Sequence, residues 1–321
     1  MERPFHARGA GDMGGIAMTN APFNDDPKPD AEADDTALYA RLDDLLAEGV
    51  SQGIDRAGAR RMEDTFLSAF RGRLRLVPAV PHPIEGTLYD INPEKEAFRD
   101  WDEREEAARH LLRAGGPATL KEMPLCRGVQ MIVNRKSLFG SMKPRVSVIA
   151  ACWSPLEHLA KGSVPFDSRP GDIDAVDWVL ERTLVADRPN IYHYIGICST
   201  TGWDQLLRDP PPAGPNYTVA LVEPRPPGWM VYASPNWPLP LLATIEPEDG
   251  ESKKRRAEST LRSSDELDAP GGLLLVEELA DKAVVPYELA LEVARNVAEN
   301  DPSLVVEKVQ GSMIVRKKRG K

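Results

Sequence analysis

The chain has 321 residues and a hydrophobic fraction of 41%, which is enough for two or three domains with buried cores. Its formal net charge of −10 excludes a protein that coats nucleic acid over its whole surface, although a local basic face stays open. No apolar run of the sequence approaches the roughly 18 residues that span a bilayer. Three widely spaced cysteines without a CxxC motif indicate free thiols in a reducing compartment. We therefore expect a cytoplasmic protein without membrane association.

The N-terminal third is predicted to consist of a tail and a helical region. Residues 1–34 are polar and rich in glycine, proline and aspartate, a composition typical of disorder. Residues 35–126 are predicted to be a helical region with a connector. Apolar residues at three- and four-residue spacing predict one helix from Asp35 and another over 56–70. The pair indicates a helical hairpin, and a DNA-binding helix-turn-helix is the alternative interpretation.

The rest of this region is read from proline, charge and capping signals. The proline-rich segment 77–93 is predicted to be a connector. A helix is predicted over 93–114 because glutamates occupy its first turn, where the helix dipole favours anions. The arginines at 71, 73 and 75 alternate with other residues, so they indicate either an edge strand with a basic face or a solvated charge run.

The segment 127–145 is the most basic stretch inside the folded region, with five positive side chains and no acidic one. A strand is predicted over 129–133 and a loop over 134–144. Because phosphates attract such clusters, we predict that five residues contact nucleic acid: Arg127, Arg135, Lys136, Lys143 and Arg145. A solvated loop balanced by nearby carboxylates is the alternative.

Residues 127–247 are predicted to form a central α/β domain with a mixed sheet. Strands are predicted at 145–152, 191–199, 217–223 and 229–233, with a helix at 173–186. Strands separated by a helix favour crossover connections. The short proline- and glycine-rich turn before the last strand favours an antiparallel hairpin instead. Residues 236–247 are predicted to be another connector and a domain boundary.

The sequence CSTTGW at 198–203 ends the central strand and has three interpretations. As a nucleophile, Cys198 or Ser199 would need His193 as a base, but strand alternation places His193 on the face of Ser199 and away from Cys198. The GxSxG motif is missing. Hydroxyls and the glycine amide could instead hold a phosphate, although no P-loop motif is present. The third interpretation is a strand end with Trp203 packed beneath it.

A metal-dependent nuclease or other hydrolase is an alternative function for the central domain. Aspartates crowd the start of the helix at 173–186, and Glu223 precedes Arg225 at a strand end. The latter pair resembles the E-x-K element of restriction-endonuclease-like folds, with arginine in place of lysine and a proline between. The candidate catalytic residues are Asp177 and Glu223. Helix capping and a surface ion pair explain the same residues without catalysis. No metal or cofactor is predicted, because no second Cys–His pair with ligand spacing exists.

Residues 252–321 give the clearest pattern of elements. Helices are predicted at 252–267, 277–283 and 285–300, and strands at 273–276, 304–309 and 313–317. The order helix, strand, helix, helix, strand, turn, strand resembles the winged-helix superfamily. The resemblance covers this segment only, rests on element order, and implies contact with DNA or with a protein.

Charge decides how such a domain would meet DNA. The helix at 285–300, the usual groove reader of the superfamily, carries Glu288, Glu292 and Glu299 against Arg295, which is unfavourable beside phosphates. The wing and tail are basic, and we predict that they contact DNA through Lys308, Arg316, Lys317 and Lys318. The sequence thus predicts a multidomain α/β protein that is DNA-associated, regulatory and non-enzymatic. An interaction scaffold that docks a partner on the acidic helix is a further alternative.

Overall fold

The computed structural model describes residues 53–91, 97–115, 119–136, 141–184, 191–269 and 272–318. The predicted tail and the helix predicted from Asp35 lie outside these residues. All described residues belong to one unit, Asp34–Lys321. Among them, no helix is both long and apolar enough to cross a membrane.

The first described helix, α1 (Arg56–Leu74), extends the predicted helix by one turn. Asp55 caps it, because its carboxylate accepts a hydrogen bond from the Gly58 amide at 2.6 Å. The arginines at 71 and 73 therefore lie on a helix and not on an edge strand. Apolar residues at helical spacing enter the main core, namely Ala59, Met62, Phe66 and Phe70.

Two predictions for the next segment were wrong. The predicted connector forms an antiparallel hairpin of β1 (Ala79–His82) and β2 (Thr87–Asp90). The helix predicted over 93–114 contains a strand, β3 (Phe98–Trp101), and only then a helix, α2 (Arg104–Ala114). Pairing of β3 with the main sheet overrides the local helical pattern.

A seven-stranded mixed sheet forms the centre of the fold. Its other strands are β4 (Gly128–Lys136), β5 (Met142–Trp153), β6 (Tyr192–Ser199), β7 (Ala213–Gly214), β8 (Tyr217–Arg225) and β9 (Gly228–Ala233). The order is β3–β4–β5–β6–β8–β7, and β9 also pairs with β8. β5, β6 and β8 run parallel, whereas the remaining pairs are antiparallel. The predicted mixed α/β fold and the predicted β8–β9 hairpin are confirmed.

Two cores cover the two faces of this sheet. Along β6, Tyr194 and Cys198 enter the core that contains α1, whereas Ile195 and Ile197 enter the core of the opposite face. The second face is covered by α4 (Ile173–Thr183). A short helix, α3 (Leu156–Lys161), precedes it.

The predicted boundary at 236–247 contains a helix, α5 (Leu239–Ile245), which packs against α1. Ile245 lies so close to β6 that a Cβ atom on Gly196 would meet its Cγ2 atom at 2.6 Å. Glycine at this position therefore permits the close packing of α5 on the sheet.

The C-terminal elements have a core of their own. They are α6 (Gly250–Arg262), α7 (Asp265–Asp268), β10 (Leu273–Leu275), α8 (Val276–Ala283), α9 (Tyr287–Asn300), β11 (Leu304–Val309) and β12 (Ser312–Lys317). The three strands form an antiparallel sheet in the order β10–β12–β11. The helix predicted over 252–267 is divided into α6 and α7.

Candidate functional site

The adjoining ends of β4 and β5 carry exposed cations. Arg135, Lys136 and Lys143 are exposed, and Arg135 lies opposite Lys143 in the antiparallel register. Residues predicted to be a loop here thus continue both strands. The Arg135 guanidinium carbon lies 5.9 Å from the centre of the Tyr89 ring. Within the described part of the chain, none of the three cations forms an ion pair, so their charges face solvent. We call these three residues the hairpin cations.

The structure separates the other two predicted cations of this stretch from the hairpin cations. Arg127 precedes β4 at its far end, roughly 25 Å from Arg135 at the usual rise of a strand. It pairs with Asp64, and its Nε atom lies 3.8 Å from Oε2 of buried Glu63. Arg145 pairs with Glu85 at 3.0 Å. Both guanidinium groups are therefore engaged within the protein.

The C-terminal wing is the strand pair β11–β12. Its turn contains Gln310 and Gly311, both with positive φ, of 51° and 98°, so the turn requires left-handed backbone at which glycine is unstrained. Lys308, Lys317 and Lys318 are exposed on these strands and directly after them. We call these three residues the wing lysines.

Arg316, the fourth predicted cation of the wing, has a carboxylate partner. It binds Glu307 across the strand pair through two nitrogens, with Nη2 at 3.2 Å from Oε2. Hydrogen bonding and charge attraction within this pair raise the pKa of Arg316, and the guanidinium lowers the pKa of Glu307. Because the pair is locally neutral, Arg316 offers less to a phosphate than an unpaired cation would.

The helix α9 is acidic on its exposed side. Glu288, Glu292 and Glu299 are exposed together with Arg295. Glu292 is bound by Lys254 from α6 at 3.0 Å. The exposed side of α9 therefore carries net negative charge.

The two candidate catalytic carboxylates have different surroundings. Glu223 is buried and accepts hydrogen bonds from the Trp203 amide at 2.7 Å and the Tyr232 hydroxyl at 2.8 Å. Arg208 lies 3.1 Å from the same carboxylate, and burial raises the pKa of Glu223. Asp177 is exposed on α4. The described residues contain no group of three or more His, Cys, Asp or Glu residues that could hold a metal ion. The nuclease hypothesis thus lacks a metal-binding cluster within them.

The segment 198–203 is packed inside the protein. Ser199, Thr200 and Thr201 are fully buried. The Ser199 Oγ atom accepts a hydrogen bond from the Thr201 amide at 3.3 Å. Trp203 is buried and donates from its indole nitrogen to the Val222 carbonyl at 2.9 Å. This geometry favours the interpretation of a strand end with a packed tryptophan over a nucleophile or phosphate site.

A buried carboxylate that the sequence reasoning missed lies at the end of β5. Glu63 accepts hydrogen bonds from the Leu125 amide at 2.9 Å, the Cys126 amide at 3.1 Å and the Ser154 hydroxyl at 3.1 Å. Burial raises the pKa of Glu63, while these bonds and Arg127 act in the opposite direction. The signal in the sequence was an acidic residue on the apolar face of α1.

Comparison of the chain with protein-family models, curated proteins and solved structures found no match.

Proposed function

We propose that this protein is a DNA-associated, non-enzymatic protein with a regulatory role, and that its C-terminal elements contact phosphates through the wing. The observation that carries this proposal is the exposure of the wing lysines, Lys308, Lys317 and Lys318. Exposed lysines neutralise phosphates and release the counterions that surround DNA, which is the main source of sequence-independent affinity.

The order of the C-terminal elements supports a winged-helix domain. α6, β10, α8, α9, β11 and β12 follow in the order on which the resemblance rests, with the short α7 inserted after the first helix. The acidic side of α9 would repel phosphates, so the wing and the residues after it are the better contact surface. In this arrangement the protein contacts the phosphate backbone of DNA more than the bases.

The hairpin cations provide a second surface of the same charge. Arg135, Lys136 and Lys143 are exposed and form no ion pair among the described residues. We assign them to phosphate contact in the same proposal. The cytoplasm is the expected compartment, since the three cysteines are buried free thiols, as is usual where disulfides do not form.

A salt titration of binding to a short DNA duplex tests the proposal. The wild type is compared with a variant carrying Lys308→Gln, Lys317→Gln and Lys318→Gln. For duplex DNA, each phosphate contact contributes about 0.9 to the slope of log affinity against log salt. The wing variant should therefore lose up to about 2.7 from this slope, and its affinity at low salt should fall accordingly.

A matched control separates wing contact from net charge. Lys121→Gln, Lys161→Gln and Lys282→Gln remove the same charge from other exposed positions. This control should keep the slope of the wild type. Absence of salt-dependent binding by the wild type, or an equal loss in both variants, would overturn the proposal. In that case a basic protein docking on acidic α9 becomes the leading function. A third variant, with Arg135, Lys136 and Lys143 replaced by glutamine, measures the share of the hairpin cations.

A further inference from the structure

A cavity of about 500 Å³ lies at the carboxyl end of β5, bounded by α2, α3 and the start of α4. Its volume is within the range of about 300–1,000 Å³ that small-molecule sites occupy. In open α/β sheets, ligands bind outside the carboxyl ends of the parallel strands, and β5 is one of the three parallel strands here. The cavity includes none of the wing lysines or hairpin cations, so it is independent of the proposed DNA contacts.

Two indole rings form apolar walls of the cavity. Trp153 ends β5, and Trp178 lies on α4. Trp153 packs on Trp203, with ring centres 6.2 Å apart, and Trp178 packs on Trp101 at 5.8 Å. Trp178 is also covered in part by Arg182, which pairs with Glu103. Each ring is thus held by neighbouring side chains, which gives a flat ligand rigid surfaces to pack against.

The base of the cavity is fixed by the buried network around Glu63. The Ser154 hydroxyl, which lines the cavity, donates to Glu63 and lies 3.1 Å from the Thr200 hydroxyl, which donates to it. Cys126 also lines the cavity, and burial raises the pKa of its thiol well above the usual value. The Ser168 hydroxyl, which also lines the cavity, donates to the Pro165 carbonyl at 2.7 Å. Both lining hydroxyls are therefore occupied, and the thiol is protonated. The site is suited to binding and not to covalent catalysis.

Charge at the cavity selects the kind of ligand. Four carboxylates line it against one guanidinium: Glu106, Glu157, Asp172 and Asp174 against Arg169. Asp172 is partly occupied by capping α4, and Glu157 by an ion pair with Lys161. Glu106 faces His110, a second lining residue, whose Nε2 atom lies 3.9 Å from its Oε1 atom. Asp174 is therefore the freest of the four anions. The Arg182 guanidinium already stacks on the Trp178 ring, with its carbon 3.9 Å from the ring centre. An anionic ligand would be repelled, whereas a cation would be attracted by the carboxylates and by the Trp153 indole.

We infer that this cavity binds a small organic cation, an ammonium group carried on an aromatic body. The ring packs between the two indoles, and the ammonium group lies toward the carboxylates of α2 and α4. Neither the wing lysines nor the hairpin cations take part, so this inference is independent of the proposed DNA binding.

A charge series of three probes tests this inference by calorimetric titration of the whole chain. Phenethylamine is a cation, phenethyl alcohol is its neutral counterpart, and phenylacetate is the anion of similar shape. Phenethylamine should bind at least about tenfold more tightly than the alcohol, which corresponds to about 1.4 kcal/mol. Phenylacetate should bind most weakly. Equal affinities, tightest binding of phenylacetate, or no binding of any probe would overturn the inference.

Two aspartates on one helix provide the matched variants. Asp174 lines the cavity, whereas Asp177 is exposed on the same helix and does not line it. Asp174→Asn should weaken phenethylamine binding about fivefold, as expected for one charge lost at about 4 Å in water, and should leave phenethyl alcohol binding unchanged. Asp177→Asn should change neither. Equal weakening by both variants would mean that the cation responds only to overall charge. Neither exposed substitution is expected to unfold the protein.

Discussion

Glu63 shows how one residue fixes the join between helical and sheet segments. Its carboxylate is fully buried on α1 and receives hydrogen bonds from two backbone amides and from Ser154. Removing an ion from water costs several kcal/mol, and only good geometry with neighbouring donors and charges offsets this cost. Here the donors come from chain positions more than 60 residues away, since Leu125 is 62 residues from Glu63. The carboxylate therefore specifies a tertiary arrangement and not only the local helix.

Replacement of Glu63 by alanine should destabilise the protein strongly. The substitution leaves two amides and one hydroxyl without their buried acceptor and removes the carboxylate beside the Arg127 guanidinium, so the free energy of unfolding should fall by about 3–5 kcal/mol. Urea unfolding followed by tryptophan fluorescence measures this change. The control is Asp64→Ala, because Asp64 also pairs with Arg127 but is half exposed; its cost should stay below about 1 kcal/mol. Equal costs for both variants would contradict the role assigned to Glu63.

At the scale of elements, the sequence predicted the strands whose determining residues lie close together in the chain. The last two strands were predicted at 304–309 and 313–317 and lie at Leu304–Val309 and Ser312–Lys317. Their apolar residues and the intervening Gln–Gly turn are all within a few positions of each other. β3 and α5 were missed because partners distant in sequence stabilise them: β4 for β3, and α1 for α5.

The basic surfaces were predicted because their residues are close in sequence, whereas the cavity was missed because its residues are distant in sequence. The hairpin cations and the wing lysines are clusters in the sequence itself, and exposure of such residues is their usual state. The cavity is assembled from five separate segments, namely α2, the segment before β4, the end of β5 with α3, the segment before α4, and α4 itself. Its lining histidines, carboxylates and tryptophans are unremarkable in sequence. Only the tertiary fold makes them neighbours.

One arginine joins several elements of the C-terminal part. Arg256 on α6 donates from Nε to the Ala283 carbonyl at 2.6 Å and from Nη2 to the Val284 carbonyl at 3.0 Å. It also forms a two-nitrogen ion pair with buried Glu248, with Nη2 at 2.8 Å from Oε2. Gly228, at the start of β9, leaves room for the guanidinium, because a side chain there would meet it. The planar guanidinium thus connects α6, the end of α8 and the edge of the main sheet.

Substitution of Arg256 should loosen the C-terminal elements. Arg256→Ala leaves Glu248 buried without this cation and frees two carbonyls, so the free energy of unfolding should fall by about 3 kcal/mol or more. Arg256→Lys should restore only part of the loss, since an ammonium group cannot reproduce the planar fork. Urea unfolding followed by far-ultraviolet circular dichroism measures both. The neighbouring exposed Arg255 is the control, and Arg255→Ala should change stability by less than about 0.5 kcal/mol. Full rescue by lysine would contradict the proposed geometry.

For the molecule as a whole, the centre of the sheet contains an unusual polar residue. His193 lies on β6 between β5 and β8 and is 1% exposed. Neither ring nitrogen has a hydrogen-bond partner among the described residues. Burial lowers its pKa from 6.5 to about 4, because the charged imidazolium would lose its hydration. The folded protein therefore keeps this histidine neutral under conditions in which the unfolded chain would protonate it.

This histidine should make the stability of the whole fold sensitive to mild acid. Between pH 6.5 and about 4, the unfolded chain binds a proton that the folded chain does not, so the free energy of unfolding falls as the pH falls. The pKa of His193 differs by about 2.5 units between the unfolded and folded chains, which corresponds to about 3 kcal/mol of stability. This contribution to the free energy of unfolding is fully present above pH 6.5 and is lost near pH 4. His193→Leu removes this term and also removes two unpaired nitrogens, so the variant should be at least as stable as wild type at pH 7.

The measurement is the free energy of unfolding of both proteins at several pH values from 7 to 4. Carboxylates titrate in both proteins alike, so their contribution cancels in the difference. That difference should grow in favour of the variant by up to about 3 kcal/mol as the pH falls. A difference that stays constant with pH would show that His193 can be protonated in the folded state. Because β6 contributes to the cores on both faces of the sheet, loss of stability at this position should unfold the two faces together, and tryptophan fluorescence and circular dichroism should report one common transition.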